Sequence, residues 1–192
     1  DQLLRPKLTP ATSVDSRLYY LWQLLQAATR SDSHYAINNV APIIEIAGAS
    51  VAARFIDGLS AMWRTWTPTL RSARPPMERN QINMLDCMGI AAVSIDAATH
   101  PDWTSRLTAV QAVRAAEYAT LELNGLPKWI TSLAETWPIA VQDVLTGQAI
   151  ADLDNPEPGI YYQSLDSIER ADDVVARVMA ETLWRELRAR EN

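Results

Sequence analysis

The sequence predicts an all-α fold, and three observations lead to that prediction. Apolar residues recur at three- and four-residue steps along most of the chain, as on one face of an amphipathic helix. No segment alternates apolar and polar residues, so no strand is predicted. The 192 residues are 48% hydrophobic, with six glycines and one phenylalanine, and the long stretches rich in Ala, Leu and Arg favour helices. We expect one domain over 1–192, with seven or eight helices in antiparallel hairpins, forming an α-solenoid of the HEAT or armadillo kind or an irregular bundle.

Two apolar stripes predict the first helices. Residues 14–30 are predicted to form one amphipathic helix, with Thr12 or Ser13 as its N-cap. The second helix starts near Pro42 and ends before Pro68. Its stripe consists of Ile44, Gly48, Val51, Phe55, Leu59, Met62 and Trp66. Because Gly48 lies in that stripe, we expect another helix backbone to come close to it.

The middle of the chain predicts two further helices. The first covers about 80–99, and Gly89 marks a second place of close packing. Its inward residues are Ile82 or Leu85, Met88, Ala92 and Ile95. The next helix follows "HPDW" and stops at the C-cap signal Asn124-Gly125. Its inward residues are Leu107, Val110, Val113 or Arg114, Tyr118 and Leu121.

Prolines and polar residues divide the rest of the chain. Pro127 starts a short helix, and Trp137-Pro138 ends it and starts the next one. The inward residues of these two helices are Trp129, Ile130, Leu133 and Ala134, then Val141, Val144, Leu145, Ala149 and Leu153. A polar loop is predicted over 154–165, before a last helix capped by Asp166, with Glu169 three residues on as a capping-box variant. That helix carries the stripe Ala171, Val174, Val175, Val178, Met179, Leu183 and Leu187.

The triplet Pro-x-Trp occurs at two predicted helix starts, "PDW" at 101–103 and "PKW" at 127–129. Proline is tolerated in the first turn of a helix, so each Trp falls where its ring can fold back over an earlier helix. We therefore interpret the triplets as packing devices and as a weak sign of an internal repeat.

Charge and composition narrow the classes of function. The net charge of −6 divides into +3 over 1–80 and −9 over 81–192, which argues against nucleic acid as the main partner. Cys87, the single cysteine, cannot form an internal disulfide. There is no apolar run of membrane-spanning length and no signal-peptide pattern, so we expect a cytoplasmic protein. The chain opens with Asp1 rather than Met, and we expect it to be a piece of a longer protein.

The residues that could carry chemistry form no recognisable catalytic or metal-binding motif. His34, His100 and Cys87 lack the close ligand pairs that zinc sites use. Ser50, in "AGASVAA", lacks the second glycine and the preceding strand of a nucleophile elbow. No phosphate-binding loop, dinucleotide-binding turn or calcium loop is present. We therefore predict no catalytic residue, no cofactor, no metal and no enzymatic activity.

Two groups of residues are predicted to contact a partner, which we expect to be a protein or another domain of the same chain. Tyr161 and Tyr162 form an aromatic pair in the polar loop. The local arginine cluster consists of Arg64, Arg71, Arg74 and Arg79. The last three arginines are the candidates for a binding surface, although a solvated loop and helix end is the simpler interpretation.

Three motifs carry a resemblance to a known family. "MWRTWTPTL" at 62–70 ends a helix with W-x-P-x-L, and the segment 115–145 contains the "ELNG" helix stop and the restart P-x-W-x-x-x-L-A-x-x-x-P. Over 42–154 the chain resembles the helical-repeat segments that follow the ATPase module in large bacterial NACHT-type (STAND) NTPases. The resemblance implies an all-α repeat arm that senses or scaffolds. It transfers no catalytic residue and places any ATPase outside this chain.

Two hypotheses follow for the function. The first is a non-enzymatic scaffold or sensor region of a larger bacterial protein, which makes protein–protein or intramolecular contacts. The alternative is a helical regulator that binds a small molecule in an aromatic-lined pocket near Trp22, Trp66 and Met62.

Overall fold

The computed structural model describes residues 20, 22, 23, 35–79, 81, 83–154 and 163–190. Over these residues the chain forms eight α-helices and three short 3-10 helices, with no strand, so the predicted all-α class is confirmed. The α-helices are α1 (Ala41–Ala47), α2 (Ala49–Thr65), α3 (Met84–Thr99), α4 (Ala109–Ala119), α5 (Ile130–Thr136), α6 (Pro138–Asp154), α7 (Gln163–Glu169) and α8 (Asp173–Arg190). The 3-10 helices are Arg71–Ala73, Pro76–Glu78 and Trp103–Arg106. Most of the predicted helix 14–30 lies outside the described residues.

The helix predicted after Pro42 is divided in two at Gly48. This glycine has φ 83° and ψ 156°, a conformation that costs residues with a side chain far more than glycine. A Cβ at Gly48 would meet nothing within 4 Å, so the predicted close approach of another helix is wrong. In α1 Ile43 is fully buried while Ile44 is 45% exposed, so the predicted inward position of Ile44 is wrong.

In α2 the predicted stripe is buried over Phe55, Leu59 and Met62. The tryptophan at the centre of the core is Trp63, which has no exposed surface. Trp66, which the stripe included, is the C-cap residue with extended backbone and is only partly buried. The stripe therefore predicts the face of the helix correctly up to its last turn.

Helix α3 lies at the centre of the fold. Every residue from Leu85 to Asp96 is buried, so neighbouring segments cover all of its sides rather than one face. The helix starts after Asn83, whose side chain accepts a hydrogen bond from the backbone N–H of Leu85 at 2.9 Å. The predicted close packing at Gly89 is confirmed, because the ring of Tyr118 occupies the space that a Cβ would take.

Helix α4 is shorter than predicted, and the prediction of its inward residues is only partly right. Leu107, Tyr118 and Leu121 are buried as predicted. A capping box between Thr108 and Gln111 starts it, and it ends at Ala119 instead of Asn124-Gly125. Val110 is 66% exposed and Val113 is 38% exposed, so their predicted inward positions are wrong. The buried residues are Ala112, Ala115, Ala116, Tyr118 and Ala119. Small alanines form this face, so the larger valines gave a misleading pattern.

The two Pro-x-Trp triplets meet in the core. The indole rings of Trp103 and Trp129 pack edge to face, with centroids 5.7 Å apart and planes at 86°. Trp129 Nε1 donates to Ser94 Oγ on α3 at 2.9 Å, which confirms that this ring folds back over an earlier helix. Trp103 opens a 3-10 helix whereas Trp129 is the N-cap of α5, so the triplets do not start equivalent helices.

The end of the chain contains two helices where one was predicted after Asp166. Asp166 and Glu169 belong to α7, so the predicted capping box is wrong. Helix α8 starts after Asp172, whose carboxylate accepts from the backbone N–H groups of Val174 and Val175 at 3.0 and 3.1 Å.

Each α-helix contacts the next one along the chain, and the alternate helices α2, α4, α6 and α8 also contact one another in order. Helices α6 and α8 run parallel. Near their starts, Gln142 Nε2 donates to the carbonyl of Val178 at 2.9 Å. Twelve residues further along both helices, Arg190 donates to Asp154 at 2.7 Å. None of the described helices combines the length and apolarity needed to cross a membrane.

Candidate functional site

A buried polar layer joins α2 and the loop after it to α3. Two carboxylates on α3, those of Asp86 and Asp96, are 2% and 3% exposed. Buried carboxylates are costly unless charges and hydrogen bonds compensate them. Each of these carboxylates is paired with one arginine and receives a hydrogen bond from one indole. We call the six residues the Asp–Arg–Trp layer: Asp96 with Arg64 and Trp63, and Asp86 with Arg74 and Trp66.

The Asp96 carboxylate connects α3 to the second half of α2. Trp63 Nε1 donates to it at 2.7 Å, and the Arg64 guanidinium lies 2.8 Å from the same oxygen. Ser60 Oγ adds a donor at 3.1 Å. Arg64 also lies over the Trp63 ring, 4.6 Å from its centroid, so the cation contacts the indole that donates to the same carboxylate.

The Asp86 carboxylate connects α3 to the loop that follows α2. Its partner Arg74 lies 3.0 Å away, and the side chain of Arg74 is only 8% exposed. Trp66 Nε1 contributes a longer contact of 3.4 Å. Burial raises the pKa of the Asp86 carboxyl, and the hydrogen bond from Trp66 and the charge of Arg74 oppose that shift. Arg74 Nε also donates to the Thr69 carbonyl at 2.9 Å, which fixes the shape of the loop.

The ion pairs and hydrogen bonds of the layer attach α2 and its loop to α3. Both carboxylates accept from donors on the segments they join, and both arginines are held by a carboxylate. A general base needs an accessible oxygen within reach of a substrate proton. The layer therefore holds α2, its loop and α3 in one arrangement.

The structure separates the predicted binding residues. Arg74 belongs to the buried layer, so its interpretation as part of a solvated loop or partner surface is wrong. Arg71 and Arg79 are half-buried, and Arg71 Nε donates to the Arg79 carbonyl at 3.3 Å. Burial lowers the pKa of the Arg71 guanidinium, and the charge of Asp152 opposes that shift. The other two candidates, Tyr161 and Tyr162, lie outside the described residues.

The residues considered for other chemistry are dispersed. Cys87 is buried, as predicted, and burial raises the pKa of its thiol to about 12. His100 is exposed, and His34 lies outside the described residues. Within the described part of the chain, no three His, Cys, Asp or Glu side chains are grouped as metal ligands would be. Trp22 and Met62, proposed as pocket lining, belong to the buried core.

One buried acid escaped the sequence analysis altogether. Glu122 is 2% exposed, and its carboxylate accepts from the backbone N–H groups of Tyr35 and Ala36 at 2.8 and 2.7 Å. It lies in the "ELNG" motif that was interpreted only as a helix stop. Glu122 therefore binds the segment before α1 to the end of α4, a contact between residues 87 positions apart.

Comparisons of the chain with models of protein families, with curated proteins and with solved structures find no match. The resemblance to the repeat segments of NACHT-type NTPases therefore stays a prediction.

Proposed function

We propose that the chain is a non-enzymatic helical-repeat region of a larger cytoplasmic bacterial protein of the NACHT (STAND) NTPase type. It acts there as a scaffold or sensor arm, through contacts with other proteins or with other domains of the same protein. The observation that carries the proposal is the order of packing. Each α-helix lies against the next, and the alternate helices α6 and α8 run parallel with matched contacts at both ends. Stacked helical hairpins in repeat proteins have this arrangement.

The charged groups in the interior support the same proposal. The buried carboxylates of Asp86 and Asp96 are used to attach helices, and their arginine partners are bound in the same contacts. A rigid helical arm that presents a binding surface needs contacts of this kind between its own helices. Its working surface then lies on the exposed faces of the helices.

The acidic half of the chain offers exposed acidic residues to a basic partner surface. Ile139 and Asp143, four residues apart on α6, are both exposed, Ile139 by 71%, and Glu135 is exposed near the end of α5. The charges would steer the encounter and the isoleucine would supply apolar contact.

Two measurements test the proposal. The coding sequence on the N-terminal side of this chain should contain an NTPase module with a phosphate-binding loop. The remainder of that protein, expressed separately, should bind the 192-residue chain in titration calorimetry. Replacing Glu135 and Asp143 with Lys should weaken that binding at least about tenfold. Asp57→Lys, at an exposed position of α2, is the matched control. Flanking sequence without an NTPase module would overturn the proposal.

A further inference from the structure

The last helix, α8, carries a second apolar stripe in addition to the one that enters the core. Val175 and Met179 are buried, and they define the core side of the helix. The second set of apolar residues, which we call the outer stripe, consists of Ala176, Ala180, Trp184 and Leu187, whereas Leu183 packs against the core. The spacing of four, four and three residues places the outer stripe along one side of a helix.

The outer stripe is open to solvent over most of its length. Trp184 is 60% exposed and Leu187 is 41% exposed, although both are large apolar residues. Ala176 and Ala180 are exposed as well. A contiguous apolar strip on the surface of a helix is typical of a contact with another helix.

The two halves of α8 differ in size and in charge. The N-terminal half of the outer stripe contains only alanines, and the C-terminal half contains the large side chains. The first turn of the helix carries Asp173, and the last turn carries Arg188 and Arg190. The guanidinium of Arg188 lies over the Trp184 ring, 4.9 Å from its centroid, so it borders the outer stripe. Each half therefore matches the opposite half of an identical helix that runs in the other direction.

We infer that a second copy of this chain packs on the outer stripe, with the two α8 helices antiparallel about a two-fold axis. With the axis near the middle of the stripe, Trp184 of each copy lies over Ala180 of the other copy, and Leu187 lies over Ala176. Small residues let the backbones approach, and the large ones fill the space beside them. A two-fold contact of this kind uses the same surface of both copies.

The charges favour the same direction of pairing. In the antiparallel arrangement, Asp173 of one copy comes within about one helical turn of Arg188 of the other, and this contact occurs twice. In a parallel arrangement Arg188 would face Arg188, and Trp184 would face Trp184. Because only one helix from each copy takes part, the interface is smaller than that of a stable dimer, for which about 1,600 Å² is buried. We therefore expect a reversible dimer with a dissociation constant on the order of 10–100 μM.

Sedimentation velocity of the 192-residue chain, at concentrations from about 1 to 500 μM, tests for this dimer. The weight-average sedimentation coefficient should rise from the monomer value toward the dimer value. Trp184→Ala should raise the dissociation constant at least about tenfold, because it removes the largest side chain of the interface. Ile139→Ala, at a 71% exposed position on α6, should leave the constant unchanged.

A charge exchange tests the direction of pairing. Asp173→Arg alone and Arg188→Asp alone should each weaken the dimer, because each homodimer then brings two like charges together twice. An equimolar mixture of the two variants should restore dimerisation, since both contacts in the mixed dimer are again between opposite charges. Melting curves of the two variants check that both remain folded. A chain that stays monomeric, a dimer insensitive to Trp184→Ala, or a mixture that fails to dimerise would each overturn the inference. None of these results bears on the flanking-sequence test of the proposed function.

Discussion

Replacing Trp129 with Ala should lower the free energy of unfolding by about 3–5 kcal/mol, the cost of emptying a large aromatic site in a core. The indole is 9% exposed and lies edge to face with Trp103 at 5.7 Å. About 0.5–1.5 kcal/mol of the total belongs to that aromatic pair, and about 1 kcal/mol to the hydrogen bond with Ser94. Ser94 also donates to the Ile90 carbonyl at 2.8 Å, so the mutation leaves no buried hydroxyl without a partner. Lost burial is therefore the main part of the cost.

Urea denaturation followed by far-ultraviolet circular dichroism measures this effect. Trp129→Phe keeps a ring but loses the N–H donor, so it should cost only about 1–2 kcal/mol. Trp184→Ala, at an exposed position, should stay within about 0.5 kcal/mol of the unmutated chain when both are measured at low concentration. A double-mutant cycle with Trp103→Ala should give a coupling of about 0.5–1.5 kcal/mol. An unchanged urea midpoint for Trp129→Ala would show that the ring is exposed and would refute its place in the core.

Three further predictions concern packing, charge and pH. Gly89→Ala should lower the unfolding free energy by about 1–3 kcal/mol, because its methyl group would overlap a neighbouring ring. Gly147→Ala, whose methyl group would meet nothing within 4 Å, should raise the unfolding free energy by about 0.5–1 kcal/mol. The urea midpoints of the two variants distinguish these effects. Asp96→Ala should cost about 3 kcal/mol in the same assay, near the lower end for breaking a buried ion pair, because the partner guanidinium is partly exposed. Burial raises the pKa of Cys87 from 9.0 to about 12 and that of Tyr35 from 10.0 to about 12. The unfolded chain therefore loses these protons first, so the contribution of these two groups to stability should be constant below about pH 9 and fall between pH 9 and 12, and Cys87→Ala should make that fall smaller.

The apolar period of the sequence predicts those parts of the fold that depend on neighbours three and four residues away. It places Phe55, Leu59 and Met62 on the buried side of α2, and the residues around Leu133 on the buried side of α5. It misses the turn at Gly48, because a glycine within a stripe is equally compatible with a close contact and with a break. It also misplaces Val110 and Val113 of α4, which are exposed, whereas alanines of the same helix are buried.

The Asp–Arg–Trp layer depends on contacts between segments, so the apolar period contains no information about it. Arg64 and Asp96 are 32 positions apart, and Trp63 and Asp96 are 33 positions apart. A signal was nevertheless present. The segment "MLDCMGIAAVSIDAAT" is apolar on all sides except for two aspartates, and buried acids require cations. The arginine cluster just before it is the nearest source of cations, and one of its members, Arg74, pairs with Asp86.

The same two aspartates determine how α3 sits among its neighbours. A helix that is apolar all round has no side that it must turn inward, so burial alone permits many rotations and many positions along its axis. Asp86 and Asp96 lie ten residues apart, which separates them by about 15 Å along the axis and by about 80° around it. Rotating α3, or sliding it by one turn, would leave at least one carboxylate in the interior without its arginine. The ion pairs of Asp86 and Asp96, on different sides of α3, therefore exclude every register of this helix except the observed one.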